Sequence, residues 1–323
     1  MAIIVAASLN DSVAVRSAVA AIIAGTPLVL AAVGEVHAER SGVMNLGVEG
    51  MMLIGALLGI VGTIAGGSPW IGLAAATAGG AALAAIFAVL SVSLRVNQVV
   101  TGLALVIVGT GLSSYLGKVP DPALTDRGAV QSFDLIFHGG LAKLPLIGPL
   151  LFGQDPVVYI SWLIVGASSY YLYRTRAGLA VRAVGEDPAT ADAAGIRVSL
   201  VRYVHVIIGG ALAGMGGGYL SIAITGIWQD QITAGAGWIA FALVSFSGWR
   251  PWRVLLAAYV FGALSSLNFT LQALGIKIPS DLLSMLPYIM TIVVLIIVSA
   301  TSSASRALQA PAALSTPYIR ESR

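Results

Sequence analysis

"GEDPATADAAGIRV", residues 185–198, interrupts a chain that is otherwise almost free of charge. It holds adjacent acids at Glu186 and Asp187, then Pro188, a third acid at Asp192, Gly195 and Arg197. The segments on either side are long runs of Ala, Leu, Val, Ile and Gly. This contrast decides the fold class: the apolar runs are the body of the molecule, and the polar stretch is a short helix slung between two of them.

The 323-residue chain is 58% apolar and only 10% charged, with a mean hydropathy of +0.93. Soluble domains carry charge on roughly a quarter of their residues, so an all-α, polytopic membrane protein is expected. The absence of cysteine excludes disulfides, thiolate metal sites and cysteine nucleophiles. A formal net charge of +3 is too small and too scattered to suggest nucleic acid as a partner. Membrane lipid is the expected surrounding.

A window of about 20 residues finds apolar segments at 13–34, 46–66, 70–92, 97–116, 157–173, 204–224, 234–249, 254–274 and 282–300. That makes about nine spans, with 234–249 marginal in length. No basic region precedes the first, which reads as a retained anchor rather than a cleaved signal. Residues 1–323 therefore read as one transmembrane domain with no soluble part.

Orientation follows from the arginines. Arg174, Arg176, Arg182, Arg197 and Arg202 make segment 174–203 the densest positive cluster, which the positive-inside rule places in the cytoplasm. Counting spans outward puts Arg40, Arg95, Arg250, Arg253 and the 301–323 tail on the same side. The N-terminus and the 117–156 loop, where Lys118, Arg127 and Lys143 mix with Asp121, Asp126, Asp134 and Asp155, fall outside.

Within the opening stretch, Asp187 is placed to cap free backbone N–H groups, and Pro188 at the first helical position forfeits nothing. Gly195 suits the left-handed residue that ends a helix. The product is a helix of about two turns, roughly 10 Å long, too short to cross a bilayer. Two readings remain open on composition: a solvated connecting loop, or a rigid knob that enters a groove on a cytosolic partner, with Ala191 presenting a small side chain to it.

The run "RAGLAVRAVGEDPATADAAGIRV", residues 176–198, closely resembles the cytoplasmic coupling-helix segment of ABC importer permeases for branched-chain amino acids, ribose and nucleosides. "AERSGVMNLGVEGMMLIGA", residues 38–56, and the ending "TPYIRESR", residues 316–323, are more similar to the nucleoside and simple-sugar subgroup. The resemblance covers nearly the whole chain. It implies a permease subunit in a bacterial plasma (inner) membrane, driven by a separate cytosolic ATP-binding subunit. It further implies a second permease chain, homologous but different, and an extracytoplasmic substrate-binding protein. Glu186, Asp187, Pro188, Ala191, Asp192 and Gly195 would then couple the permease to the ATPase. None of the three lysines, Lys118, Lys143 and Lys277, sits in the glycine-spaced loop that cradles nucleotide phosphates, so the ATPase is expected on another chain. Neither a cofactor nor a metal is implied.

Glu49 lies about one turn into the second span, where an ionisable group is costly. A functional reading sets Asn45 and Glu49 along or below a translocation path; a structural reading, favoured by closeness to the interface, pairs Glu49 or Glu39 with Arg40 to lock a bend. Further candidates for the path are Asn97 and Thr101 on the fourth span and Ser265, Asn268 and Gln272, which share one face of the eighth. Gly210, Gly214 and Gly218 on the sixth span, and Gly55 with Gly59 on the second, are small-residue faces for close helix packing.

An ion-coupled secondary transporter of a small polar solute is the alternative. It would usually place an Asp, Glu or His deep in a span, whereas only Glu49 and His205 come near. A membrane enzyme would need a nucleophile or metal motif, and none is present; His37, His138 and His205 are far apart in sequence.

Overall fold

The computed structural model describes residues 13–118, 130–137, 140, 144–273, 279, 282–283, 285–300 and 310–320. The described residues contain no β-strand. In chain order the helices are α1 (Val13–Arg40), α2 (Val48–Gly66), α3 (Pro69–Ala88), α4 (Gln98–Gly117), α5 (Pro156–Arg174), α6 (Arg176–Glu186), α7 (Pro188–Ala193), α8 (Val198–Tyr219), α9 (Ala236–Phe246), α10 (Pro251–Ala273) and α11 (Leu286–Ala300). Wider π-helical segments extend α3 over Val89–Ser93 and α8 over Leu220–Thr225.

Among the described residues, five helices are long and apolar enough to cross a membrane: Val13–Arg40, Val48–Gly66, Pro69–Ser93, Gln98–Gly117 and Val198–Thr225. Shorter apolar helices cover Ala236–Phe246 and Pro251–Leu267. Ile107, Leu163, Leu256 and Ile292 project outward, exposed. Outward-facing aliphatic side chains on apolar helices suit lipid tails and would be a liability in water.

Helix α8 is the hub, packed against α1, α2 and α3. A β-carbon on Gly217 would overlap the Met52 backbone of α2; on Gly214 it would overlap Ala76 and Gly80 of α3; on Gly216 it would sit 2.8 Å from the Pro27 carbonyl oxygen of α1. Gly55 of α2 meets Gly214, and Gly34 of α1 meets the Gly209 carbonyl at 2.5 Å from its would-be β-carbon. The small-residue spacing visible in the sequence is thus spent on backbone-to-backbone packing. Around these contacts lies an apolar core that includes Val29, Val33, Met51, Met52, Phe87 and Leu243.

The ends of the helices are fixed by local chemistry. Asp155 Oδ1 accepts the Val157 N–H at 2.8 Å and caps α5, with Pro156 at its first position. Ser68 caps α3 ahead of Pro69 in the same way. On the end opposite α7, Lys118 pairs with Asp230 at 2.8 Å, and hydrogen bonds from Lys118 and Ser114 hold the Asp230 carboxyl below the usual carboxylate range.

Gly217 and Gly111 form a matched pair for testing this packing, since a β-carbon on Gly111 meets nothing within 4 Å. Gly217→Leu is expected to cost about 1–3 kcal/mol or more through overpacking, seen as a lower melting temperature and folded yield in detergent. Gly111→Leu should melt like the parent.

Candidate functional site

Helix α6 stops at Glu186 because Asp187 takes extended backbone angles, φ −146 and ψ 92. Its Oδ1 accepts the N–H groups of Ala189 and Thr190, both at 3.1 Å, while Oδ2 accepts the Thr190 hydroxyl. These hydrogen bonds, first the side chain and then the backbone of Thr190, hold the exposed Asp187 carboxyl below the usual carboxylate range. At the other end Gly195 has φ +85, and its N–H donates to Asp192 O at 2.9 Å. Ile196 N–H closes the turn on Ala191 O at 3.0 Å. The short helix, its cap and its glycine stop agree with the sequence reading.

One expectation for this helix is corrected. Ala191 does not face outward: it is 3% exposed and packs with Val184 and Val198, against which Ile196 and Tyr318 also rest. The outward side chains of α7 are Ala189, Thr190 and Ala193. Asp192 is turned toward Arg320, 2.9 Å away, and Glu186 toward Arg40, 3.9 Å away.

The second arrangement surrounds α9. With 11 residues it is about 16 Å long, roughly half the hydrocarbon thickness. Its first turn abuts Glu49 of α2. Glu49 Oε1 accepts the Thr233 hydroxyl at 2.6 Å and the Gly235 N–H at 3.0 Å, and Oε2 accepts the Gly237 N–H at 2.6 Å. A carboxylate from another helix therefore caps α9 and meets the positive end of its dipole. Two glycines permit this approach: Gly235 has φ +82, and a β-carbon on Gly237 would sit 2.6 Å from the Glu49 backbone. The expected pairing of Glu49 or Glu39 with Arg40 is not what forms. Glu39 accepts the Trp249 indole N–H, and Arg40 donates to the Tyr173 hydroxyl and the Gly248 carbonyl, both at 3.2 Å.

The segment pinned by Glu49 forms one wall of a cavity of about 610 Å³ between α1, the π end of α8, α9, α10 and α11. Among the described residues its lining is aliphatic except for the hydroxyls of Thr233, Ser265, Ser266 and Tyr288, and none of these lining residues is charged. Tyr288 is held in place by donating to Ala234 O at 2.6 Å. Thr233, Ser265 and Tyr288 donate their hydroxyl hydrogens within the protein, and their oxygens can accept from a guest, so the cavity can accept hydrogen bonds from a neutral polar molecule within an apolar surround.

Of the residues proposed from sequence for the path, Ser265 lines this cavity and Glu49 supports it through Thr233. Asn45, Asn97 and Thr101 do not line it. They gather where the turn after α1 meets the start of α4: the Asn45 N–H donates to Glu35 at 2.9 Å, Asn97 caps α4 at Val100 N–H, and Thr101 donates to the Asn97 carbonyl at 2.8 Å. The side chains of Asn268 and Gln272 lie outside the described residues. Sequence reasoning missed Thr233, Ser266 and Tyr288. The usable signal was the run around Gly235 and Gly237 ahead of an apolar segment too short to span. No group of three or more His, Asp or Glu side chains suited to a metal occurs among the described residues.

Residues 17–295 match the family described as "Branched-chain amino acid transport system / permease component". The chain is 41% identical over 317 residues to a candidate glucose ABC transporter permease protein, TsgC13, of Haloferax volcanii, covering 92% of this chain and 95% of that one. It is 36% identical over 316 residues to the guanosine ABC transporter permease protein NupQ of Bacillus subtilis, covering 94% and 96% of the two chains. The nucleoside ABC transporter permease protein NupC of Lactococcus lactis is 34% identical over 286 residues, covering 85% and 89%.

The trans-cap on α9 makes a quantitative demand. Glu49→Ala strands the Thr233 hydroxyl and two backbone N–H groups, and is expected to destabilise by about 2 kcal/mol or more, measured as a melting-temperature drop of several degrees in detergent. Glu49→Gln, which keeps an acceptor oxygen, should fall between alanine and the parent.

Proposed function

The chain belongs to the branched-chain amino acid transport system / permease component family, and from that premise we propose that it forms half of the membrane pathway of an ATP-driven importer for a neutral polar solute, a nucleoside or simple sugar. As a permease it is a multi-pass membrane protein and not an enzyme, and family membership sets aside the ion-coupled alternative. The observation that carries the substrate class is the cavity: hydroxyls from Thr233, Ser265, Ser266 and Tyr288 in an aliphatic wall whose described residues carry no charge. An amino acid zwitterion would arrive there with two charges and no counter-charge, a costly burial. A nucleoside or sugar is neutral and carries hydroxyl donors that such oxygens can accept. Relatives named for guanosine, nucleoside and glucose transport support the same class.

Nine crossings complete the reading. The five long apolar helices are joined by α5, by residues 226–246, a run of bends and turns leading into the half-helix α9, by α10 and by α11. The N-terminus and the 117–156 loop lie outside, and the 174–203 segment and 301–323 tail lie in the cytoplasm of a bacterial cell. In support, Arg40 and Glu186 approach each other and Arg40 reaches the Gly248 carbonyl, so that arginine-bearing turns gather at the α7 end. There α7 offers Ala189, Thr190 and Ala193 to a cytosolic ATP-binding subunit. A second, homologous permease chain completes the pathway, and an external binding protein delivers solute to the opposite end.

Uptake by cells expressing the complete importer tests the substrate class: labelled guanosine or glucose should accumulate and leucine should not. Preferential uptake of leucine would overturn it. Orientation is read in the same cysteine-free chain, where an impermeant thiol reagent should label Ser132→Cys from outside intact cells and leave Ala189→Cys unlabelled.

A further inference from the structure

Residues 310–320 return to the α7 end and lie across three other segments. Ala313 N–H donates to Gly185 O at 2.9 Å, and Ser315 N–H to Gly42 O at 3.2 Å. Ala312 N–H donates to Glu186 Oε2 at 3.2 Å, and the Arg320 guanidinium lies 2.9 Å from Asp192. The end of α6 just before Asp187, and α7 itself, are therefore tied to one stretch of chain, which is also tied to the turn after α1. Tyr318 adds an apolar contact to the cluster of Val184, Ala191 and Val198.

Beneath this stretch sits Arg202 of α8, a cation only 2% exposed. Its Nε donates to Ser41 O at 3.3 Å and its NH1 to Thr316 O at 3.1 Å, so one guanidinium joins α8, the turn after α1 and the returning segment. The backbone is shaped for this meeting. Gly42 has φ +86, and a β-carbon there would stand 3.0 Å from Arg202 NH2 and 3.3 Å from Ala313 O. One on Gly185 would overlap the Arg40 carbonyl.

We propose that residues 310–320 are a strap that fastens α7 to the turn after α1 and to α8, and that Arg202 is the positioning residue that holds the strap down. The proposal rests on the reading of α7 as the ATPase contact. Alone, α7 is six residues long and is joined to the bundle through extended backbone at Asp187 and a left-handed glycine at Gly195, with Ala191 its one buried side chain. A push on such a unit would pivot it about those joints. The strap bridges both joints and leaves Ala189, Thr190 and Ala193 uncovered, so a push at that face moves α1 and α8 with α7. Lysine cannot replace Arg202, because a single ammonium lacks the planar fork that reaches two separate carbonyls.

Three variants of the full importer test this: a chain ending at residue 309, Arg202→Lys, and Ala189→Arg. The first two should reach the membrane, co-purify with the ATPase and hydrolyse ATP, while solute taken up per ATP hydrolysed falls by about tenfold or more, the scale of a typical coupling between sites. Uptake per ATP equal to the parent in either would overturn the strap. Loss of ATPase co-purification on truncation would also overturn it, making the segment a docking surface rather than a fastening. Should the truncated chain fail to accumulate, Arg202→Lys decides alone. Ala189→Arg, on the uncovered face, should lose the ATPase; if it binds and transports normally, the α7 contact itself is wrong and the strap proposal falls with it, whatever the other two variants do.

Discussion

Helix α8 has no room for a β-carbon on three of its sides. In lipid, where burying an aliphatic side chain gains little over leaving it among acyl tails, helices associate through close backbone packing. Gly209 and Gly216 admit α1, Gly210 and Gly214 admit α3, and Gly217 admits α2. Everything else is positioned from this shaft. Its second turn carries Arg202, which reaches the turn after α1 and the returning C-terminal segment, and its π-helical end forms part of the cavity wall. One rigid element thus connects the α7 end to the cavity.

Glu49 supplies the second organising contact. An ionisable group inside a membrane protein is expensive unless it is paired or hydrogen-bonded, and here three donors converge on one carboxyl group. The gain is architectural. A short helix can begin within the bundle because its free N–H groups and dipole are met from the side by α2. The same contact aligns Thr233 and the chain around Gly235, which Tyr288 secures from α11. This polar contact holds an irregular segment in place, and the described residues that line the cavity beside it carry no charge.

At the α7 end, Arg40 plays a linking role. Its guanidinium reaches the Tyr173 hydroxyl of α5 and the carbonyl of Gly248 just past α9, and it approaches Glu186 at the end of α6. The elements next to α7 are accordingly cross-tied to one another as well as to α8. A load applied to α7 would therefore meet a braced platform rather than a loose loop.

The sequence by itself determined the features whose partners lie within a few residues. The apolar runs announced a helical membrane protein, because backbone polar groups in lipid must be satisfied within the segment. Asp187, Pro188 and Gly195 announced α7, because capping and a left-handed stop act over three or four positions. The spacing of Gly210, Gly214 and Gly218 announced a packing face, because a helix repeats on that period. Only the tertiary structure decided which elements meet. Glu49 finds Thr233 across 184 positions and Arg202 finds Ser41 across 161, so neither partner is encoded near the residue that needs it. Ala191 is inward for the same reason: its side is set by Val198 beneath it and Tyr318 beside it. Local periodicity specifies a helix and its faces, but what each face meets is chosen by the packing of the whole bundle.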